Sequence, residues 1–190
     1  GMPSLSRLKS MIRYRRRWPA PWWRTVIRPV ALRPPALRIA CVSDSRPAIT
    51  GNTINNVGAS SYAILYSQPD LFPTISGNNG SGTGNIGVGV PAGTMAVSGR
   101  WTVAGPTMPY LISGHLTIGA GLTLTIDPGV TVLAAAGSTG LKAIGTLKAE
   151  GTPEAPIVFT SRSASPAAGD WVGIYIGPDS GASSLKHCQV

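Results

Sequence analysis

Between Gly114 and Ser161, residues rich in Thr, Val, Ile and Leu fall into four short runs: Leu122 to Ile126, Val130 to Ala134, Thr146 to Ala149 and Ile157 to Ser161. Gly119 and Gly121, Asp127-Pro128-Gly129, Gly137 and Gly140, and Gly151 with Pro153 punctuate them. Branched side chains suit a pleated surface, and Gly and Pro interrupt it, so the pattern predicts short strands joined by tight turns. No interval carries a convincing amphipathic helix, which argues against alternating βαβ units.

The runs also repeat. Thr123-Leu124-Thr125-Ile126 aligns with Thr146-Leu147-Lys148-Ala149 at an offset of 23, and Val130 to Ala134 aligns with Pro156 to Thr160 at an offset of 26. Upstream, Pro47-Ala48-Ile49-Thr50-Gly51-Asn52 recurs as Pro73-Thr74-Ile75-Ser76-Gly77-Asn78 at an offset of 26. Tyr62 to Tyr66 recurs as Ile86 to Val90 at 24. Self-similarity at a period of roughly 20 to 50 residues marks stacked architectures, and a unit of strands and turns without a helix predicts a β-solenoid. Met95 to Leu111 is the least regular stretch, and the expectation there is a junction between two groups of coils or two arrays.

In a parallel stack, Asn52 and Asn78 occupy equivalent turns, each just after a Gly. Identical side chains then stand about 4.8 Å apart, close enough for an amide ladder. The ladder is preferred over outward amides that bind sugar hydroxyls, because Asn tolerates the left-handed conformation of such turns.

The segments LTIGAGLTLTIDPGVTV, GTLKAEGTPEAPIVFTS, GDWVGIYIG and SLKHCQV resemble the right-handed parallel β-helix repeat proteins of the pectin-lyase-like group, over roughly Pro47 to Val190. The resemblance implies an all-β, right-handed, single-stranded parallel β-helix of about five or six coils across residues 45–190. It implies no single activity, since that group holds polysaccharide lyases, hydrolases and non-catalytic surface proteins.

Charge divides the chain. The net charge is +9, but residues 1–46 alone carry a balance of +10 and residues 47–190 one of −1. A near-neutral repeat region argues against a nucleic-acid surface there. Residues 1–44 are set apart as a basic Arg/Pro/Trp-rich extension, and three readings stand for them. A targeting segment is one, with Arg15-Arg16-Arg17 as its basic region and Ile39-Ala40-Cys41 as a weak lipoprotein-type cleavage site; Arg24, Arg28, Arg33 and Arg38 break its apolar run. A basic arm with Trp18, Trp22 and Trp23 against nucleic acid or anionic lipid is another. The preferred reading is a disordered extension, or one arising from a wrong start or a shifted frame; membrane contact would run only through this segment. No cap is visible after Val190, which suggests a longer natural protein.

Candidate chemistry is sparse. The acids Asp44, Asp70, Asp127, Glu150, Glu154, Asp170 and Asp179 include no Asp-Asp or Asp-x-Asp pair. Asp127 and Glu150 stack about one coil apart but sit in turn sequences, where an acid favours the turn itself. His115 and His187 lack metal-ligand spacing, Ser161 and Ser163 lack a base, and Cys41 and Cys188 form no framework. Cys188 reads as a small buried residue. Asn79 to Gly84 is a flexible Gly-rich turn rather than a phosphate loop. No catalytic, cofactor or metal residue is assigned. Trp101, Tyr110, Trp171 and Tyr175 are candidates for carbohydrate contact, with Trp171 weighed towards packing because the resemblance implies a recurrent Trp after Gly-Asp. The reading is a non-enzymatic, extracellular or cell-surface scaffold, adhesive or carbohydrate-binding, with a polysaccharide or cell-surface component as partner. The alternative is a truncated polysaccharide lyase or glycoside hydrolase whose catalytic coils are missing.

Overall fold

The computed structural model describes residues 39–190. Readings of the basic extension therefore fall mainly on residues 1–38, outside the described residues.

The described chain is a parallel β-solenoid without helices. Its longest sheet has seven parallel strands in coil order: Ile39–Cys41, Tyr62–Tyr66, Asn85–Val90, Tyr110–Ile112, Thr131–Ala134, Ile157–Ser161 and Cys188–Gln189. A second face stacks Gly93–Thr94, His115–Ile118, Gly140–Ala143 and Gly173–Ile176, and a third stacks Gly99–Trp101, Thr123–Ile126, Thr146–Glu150 and Ser184–Lys186. Two shorter sheets pair Ala48–Thr50 with Thr74–Ser76 and Thr53–Val57 with Asn79–Gly82. All four runs expected between Gly114 and Ser161 are strands.

The stack starts earlier than Ser45. Ile39, Ala40 and Cys41 pair with Ile64, Leu65 and Tyr66, so the strand boundary cuts into the stretch set apart as extension. Cys41 lies in the core, and burial pushes its thiol up to about 11. Met95 to Leu111 does not separate two arrays, because the seven-stranded sheet runs through it by way of Tyr110–Ile112, paired on both sides. Two groups of coils do meet near it: the two short sheets end by Gly82, and the four-stranded faces begin at Gly93 and Gly99.

Period-two alternation points every second side chain inward, so register decides what stacks inside. Ile64, Val88, Tyr110, Val132 and Phe159 form one inner column of the long sheet, and Cys41, Tyr66, Ile112 and Ala134 belong to the next. Leu116 faces Leu141 and Leu124 faces Leu147 on the other two sides. Complete burial of one such aliphatic side chain is worth about 1.5–3 kcal/mol, and stacking repeats that gain on every coil.

Three of the four repeat offsets are the observed registers: Ile49 with Ile75, Ile64 with Val88 and Leu124 with Leu147. The fourth is one residue off. Val132 pairs with Phe159 at 27, not with Val158 at 26. Alternation is the reason: a one-residue slip would turn Phe159 outwards and bring the half-buried Val158 into the core.

The Asn ladder is present. Asn52 Nδ2 donates to Asn78 Oδ1 at 2.9 Å, and Asn78 is completely buried. The left-handed residues are not the Asn themselves but Gly51 and Gly77, with φ of 65° and 62°. The Gly residues turn the chain, and the amides that follow tie one turn to the next.

Candidate functional site

The four aromatic candidates part company in the structure. Trp101 and Tyr110 are each 1% exposed and lie inside the solenoid, with ring centroids 4.6 Å apart and planes at 11°. They cannot offer a ring to a ligand. Trp101 follows Arg100 in a strand whose inward positions continue as Ile126 and Ala149, so the alternation that exposes Arg100 buries the indole. Tyr110 Oη donates to the Thr102 carbonyl at 3.1 Å, while Trp101 Nε1 has no hydrogen-bond partner among the described residues. Burial raises the Tyr66 and Tyr110 hydroxyls well above the usual phenol range. Trp171 is partly buried against the core. Only Tyr175, 53% exposed, lies open on a face.

Tyr175 belongs to the second face, where strand pairing lines up Thr94, Thr117, Lys142 and Tyr175 on successive coils. Lys142 Nζ stands 5.6 Å from the Tyr175 ring centroid, within cation–π range. His115 occupies the row two residues earlier, opposite Gly140 and then Gly173. A hydroxyl, an ammonium and one ring in line, on strands about 4.8 Å apart, form a flat polar strip.

The third face holds the charges. One outward row is Arg100, Thr125, Lys148 and Ser184. Beside it, Asp127 and Glu150 each follow the inward pair Ile126 and Ala149, so the expected one-coil stacking of the two acids holds. Arg100 Nε lies 2.9 Å from Asp127 Oδ1. Glu150 Oε1 accepts from Ser184 Oγ at 2.6 Å and lies 3.2 Å from Lys186 Nζ. The Ser184 hydrogen bond, followed by Lys186, holds the Glu150 carboxyl below its ordinary range. Arg100, Thr125, Asp127, Lys148 and Glu150 border an open depression of about 410 Å³. The turn at Asp127 is closed by the backbone, the Val130 N–H donating to the Asp127 main-chain carbonyl at 3.2 Å, while the carboxylate is turned to Arg100. A separate cleft of about 290 Å³ lies between Thr102–Tyr110 and Gly129–Thr131 and is bordered by Val103, Pro106 and Pro109.

Among the described residues there is no cluster of three or more metal-ligating side chains. Cys188 is only partly buried, a correction to its reading as a buried residue. Its Sγ donates to the Ala149 carbonyl at 3.3 Å, and burial raises the thiol above its ordinary value. The reading that Ser161 lacks a base is corrected: its Oγ donates to Asp170 Oδ2 at 2.7 Å, and that carboxylate is a weak base, since its pKa is lowered. Asp170 Oδ2 also accepts from the Ala167 N–H at 3.0 Å, so this carboxylate ties down the loop that follows Ser161.

The Ser161 hydrogen bond, then that of Ala167, lowers the Asp170 carboxyl from its ordinary value. A carboxyl depressed on folding stabilises above its unfolded value of about 3.9, and that contribution is lost as pH falls through the lower folded value. Asp170→Asn is therefore expected to melt below the parent protein at neutral pH, with the gap closing on acidification. Thermal melts from neutral pH to about 3 check this.

A family model described as a pectate-lyase like beta helix domain matches residues 94–184. Over this segment the parallel β-helix is similar to the pectate-lyase-like β-helices. No curated protein and no solved structure matches the chain. The matched β-helix segment contains both polar faces, from Thr94 to Tyr175 and from Arg100 to Ser184.

Of two rows, Thr94–Thr117–Lys142–Tyr175 and Arg100–Thr125–Lys148–Ser184, the repeat in the sequence aligns only Thr125 with Lys148. The offset of 23 that joins Leu124 to Leu147 also joins Thr125 to Lys148, so one pair was within reach. Lys142 to Tyr175 spans 33 residues and Lys148 to Ser184 spans 36, because the loop after Ser161 lengthens that coil. No constant period finds those partners.

Proposed function

We propose that the β-helix is a non-enzymatic, extracellular or cell-surface scaffold that binds polysaccharide along its second face. The observation that carries this reading is the open ring of Tyr175, aligned with Lys142 and Thr117 on a flat parallel sheet. A ring of this kind covers the apolar face of a pyranose, while neighbouring hydroxyl and ammonium groups reach sugar hydroxyls. The state of the acids supports the non-enzymatic part. A general acid for glycosidic cleavage needs a carboxyl raised towards neutrality, whereas Glu150 is lowered and Asp127 is bound to Arg100.

Affinity electrophoresis in gels containing xylan, xyloglucan or galactomannan tests the reading. The expected result is retardation by at least one polymer, weakened roughly five- to tenfold in Tyr175→Ala, the equivalent of about 1–1.4 kcal/mol. No retardation by any polymer, or retardation unchanged in Tyr175→Ala, would sink the proposal. Release of unsaturated uronates or reducing ends from polygalacturonate would instead favour the enzyme reading.

A further inference from the structure

We propose that Arg100, Thr125 and Lys148 on the third face bind a tetrahedral oxyanion, a phosphate or sulfate group, independently of the Tyr175 strip. The three residues are register partners on successive coils, about 4.8 Å apart strand to strand. Two long cationic side chains therefore flank one short hydroxyl, and both can lean over it. All three border the same open depression.

The neighbouring acids do not cancel this site. Asp127 is held by Arg100 through Nε, a contact that engages one edge of the guanidinium. Another edge remains for a ligand, and the side chain is 63% exposed. Glu150 holds Ser184 and Lys186 through Oε1, and Lys148 acts on it only weakly, as the last of the influences on its carboxyl. Lys148 has no ion pair among the described residues, although it stands between the two that form. The cluster of Arg100, Lys148, Lys186, Asp127 and Glu150 keeps one positive charge in excess.

Donor geometry selects the ligand. A planar carboxylate is satisfied by one guanidinium fork. Guanidinium, hydroxyl and ammonium donors here come from three different strands and border one depression. A tetrahedral group with several acceptor oxygens can use all three.

The test is an amide NMR titration of the folded protein with inorganic phosphate and with sulfate at constant ionic strength. Chloride and acetate serve as controls, and dextran sulfate is titrated beside plain dextran. Expected are saturable shifts centred on Arg100, Thr125 and Lys148, with affinity falling at least about tenfold in Lys148→Met. That variant leaves both ion pairs intact, so it separates loss of the site from loss of the fold. Arg100→Gln is a second variant, with the same weakening expected. Tighter binding of dextran sulfate per sulfate group points to an ester on a polymer, and equal binding points to the free anion. Shifts that never saturate, that chloride or acetate reproduces, or that survive Lys148→Met unchanged would overturn the assignment. Tyr175 and Lys142 lie on the other face, so failure there leaves this result readable.

Discussion

Replacing Asn78 by Ala should cost about 3–5 kcal/mol, the largest loss expected from any single polar side chain described here. Asn78 is completely buried and uses both ends of its amide. Its Nδ2 donates to the carbonyls of Ile49, Ser76 and Ala104 at 2.8, 3.1 and 3.2 Å. Its Oδ1 accepts from the Asn52 backbone N–H at 3.0 Å and from Asn52 Nδ2 at 2.9 Å. One side chain thus joins three successive coils, through residues 26 positions away on either side. Truncation removes these contacts at once, the two amide hydrogens being shared among the three carbonyls, and leaves the Ile49 and Ala104 carbonyls without this partner at buried positions. In a domain of this size, 3 kcal/mol corresponds to a fall in Tm of roughly 6–12 °C. Asn52→Ala is the comparison: that side chain is exposed and lies at the end of the ladder, so about 1 kcal/mol or less is expected. Differential scanning calorimetry of both variants checks the ordering. Equal losses would mean that the ladder is not anchored at Asn78.

Gly145→Ala should be comparably damaging, through contact rather than conformation. A Cβ at Gly145 would stand 2.1 Å from the Gly119 carbonyl oxygen and 2.4 Å from that of Leu122, both backbone atoms of the preceding coil. Those oxygens are themselves held, the first by the Leu122 N–H at 3.1 Å and the second by the Thr146 N–H at 2.8 Å. Neither can retreat without breaking its hydrogen bond, so a loss of about 3–4 kcal/mol or failure to accumulate folded protein is expected. The same arrangement recurs at Gly84. A Cβ there would meet the Gly58 carbonyl oxygen at 2.1 Å, and Asn85 N–H donates to Ser61 as Thr146 N–H does to Leu122. In both places a wide turn in one coil is followed by a corner two residues shorter in the next. The offset drops from 25 between Val57 and Gly82 to 23 between Tyr62 and Asn85, and likewise from 25 to 23 across the second corner. Gly58→Ala is the control, since a Cβ at that position meets nothing within 4 Å; a change within about 0.5 kcal/mol is expected. Urea unfolding of the three variants measures the difference.

These two sites show how unevenly the sequence speaks. The Asn ladder could be read in advance, because a fixed offset of 26 carries Gly51-Asn52 onto Gly77-Asn78 and stacking brings like onto like. The role of Gly145 could not be read, because what forbids a side chain there is a carbonyl some two dozen residues earlier. The pair Gly87 and Gly89 makes the same point on the outside of the long sheet. Glycine inside a strand brings no side chain of its own to pack. Leu111 leans over the first and the Tyr62 ring over the second, so glycine is where neighbouring side chains lie flat against the backbone.

The candidate faces follow the same division. Alternation and register together decide that Arg100 points out while Trp101 points in, and that Tyr110 stacks on Trp101 inside the solenoid instead of joining Tyr175 on a platform. An aromatic-rich sequence carries no mark of which ring is buried, because indole and phenol suit a core as well as a surface.

Local propensity and a near-constant period make many of the strands and turns, the absence of helix, the parallel stack and most of its registers legible in the sequence by itself. The pattern predicts neither His115–Ile118 nor Gly140–Ala143, whose first residue reads as punctuation. Tertiary structure alone decided where the coils lengthen, which charges meet, and which of four aromatics reaches solvent. Those outcomes depend on a residue's neighbours one coil away, and the number of residues to that neighbour changes from 22 between Tyr110 and Val132 to 36 between Lys148 and Ser184.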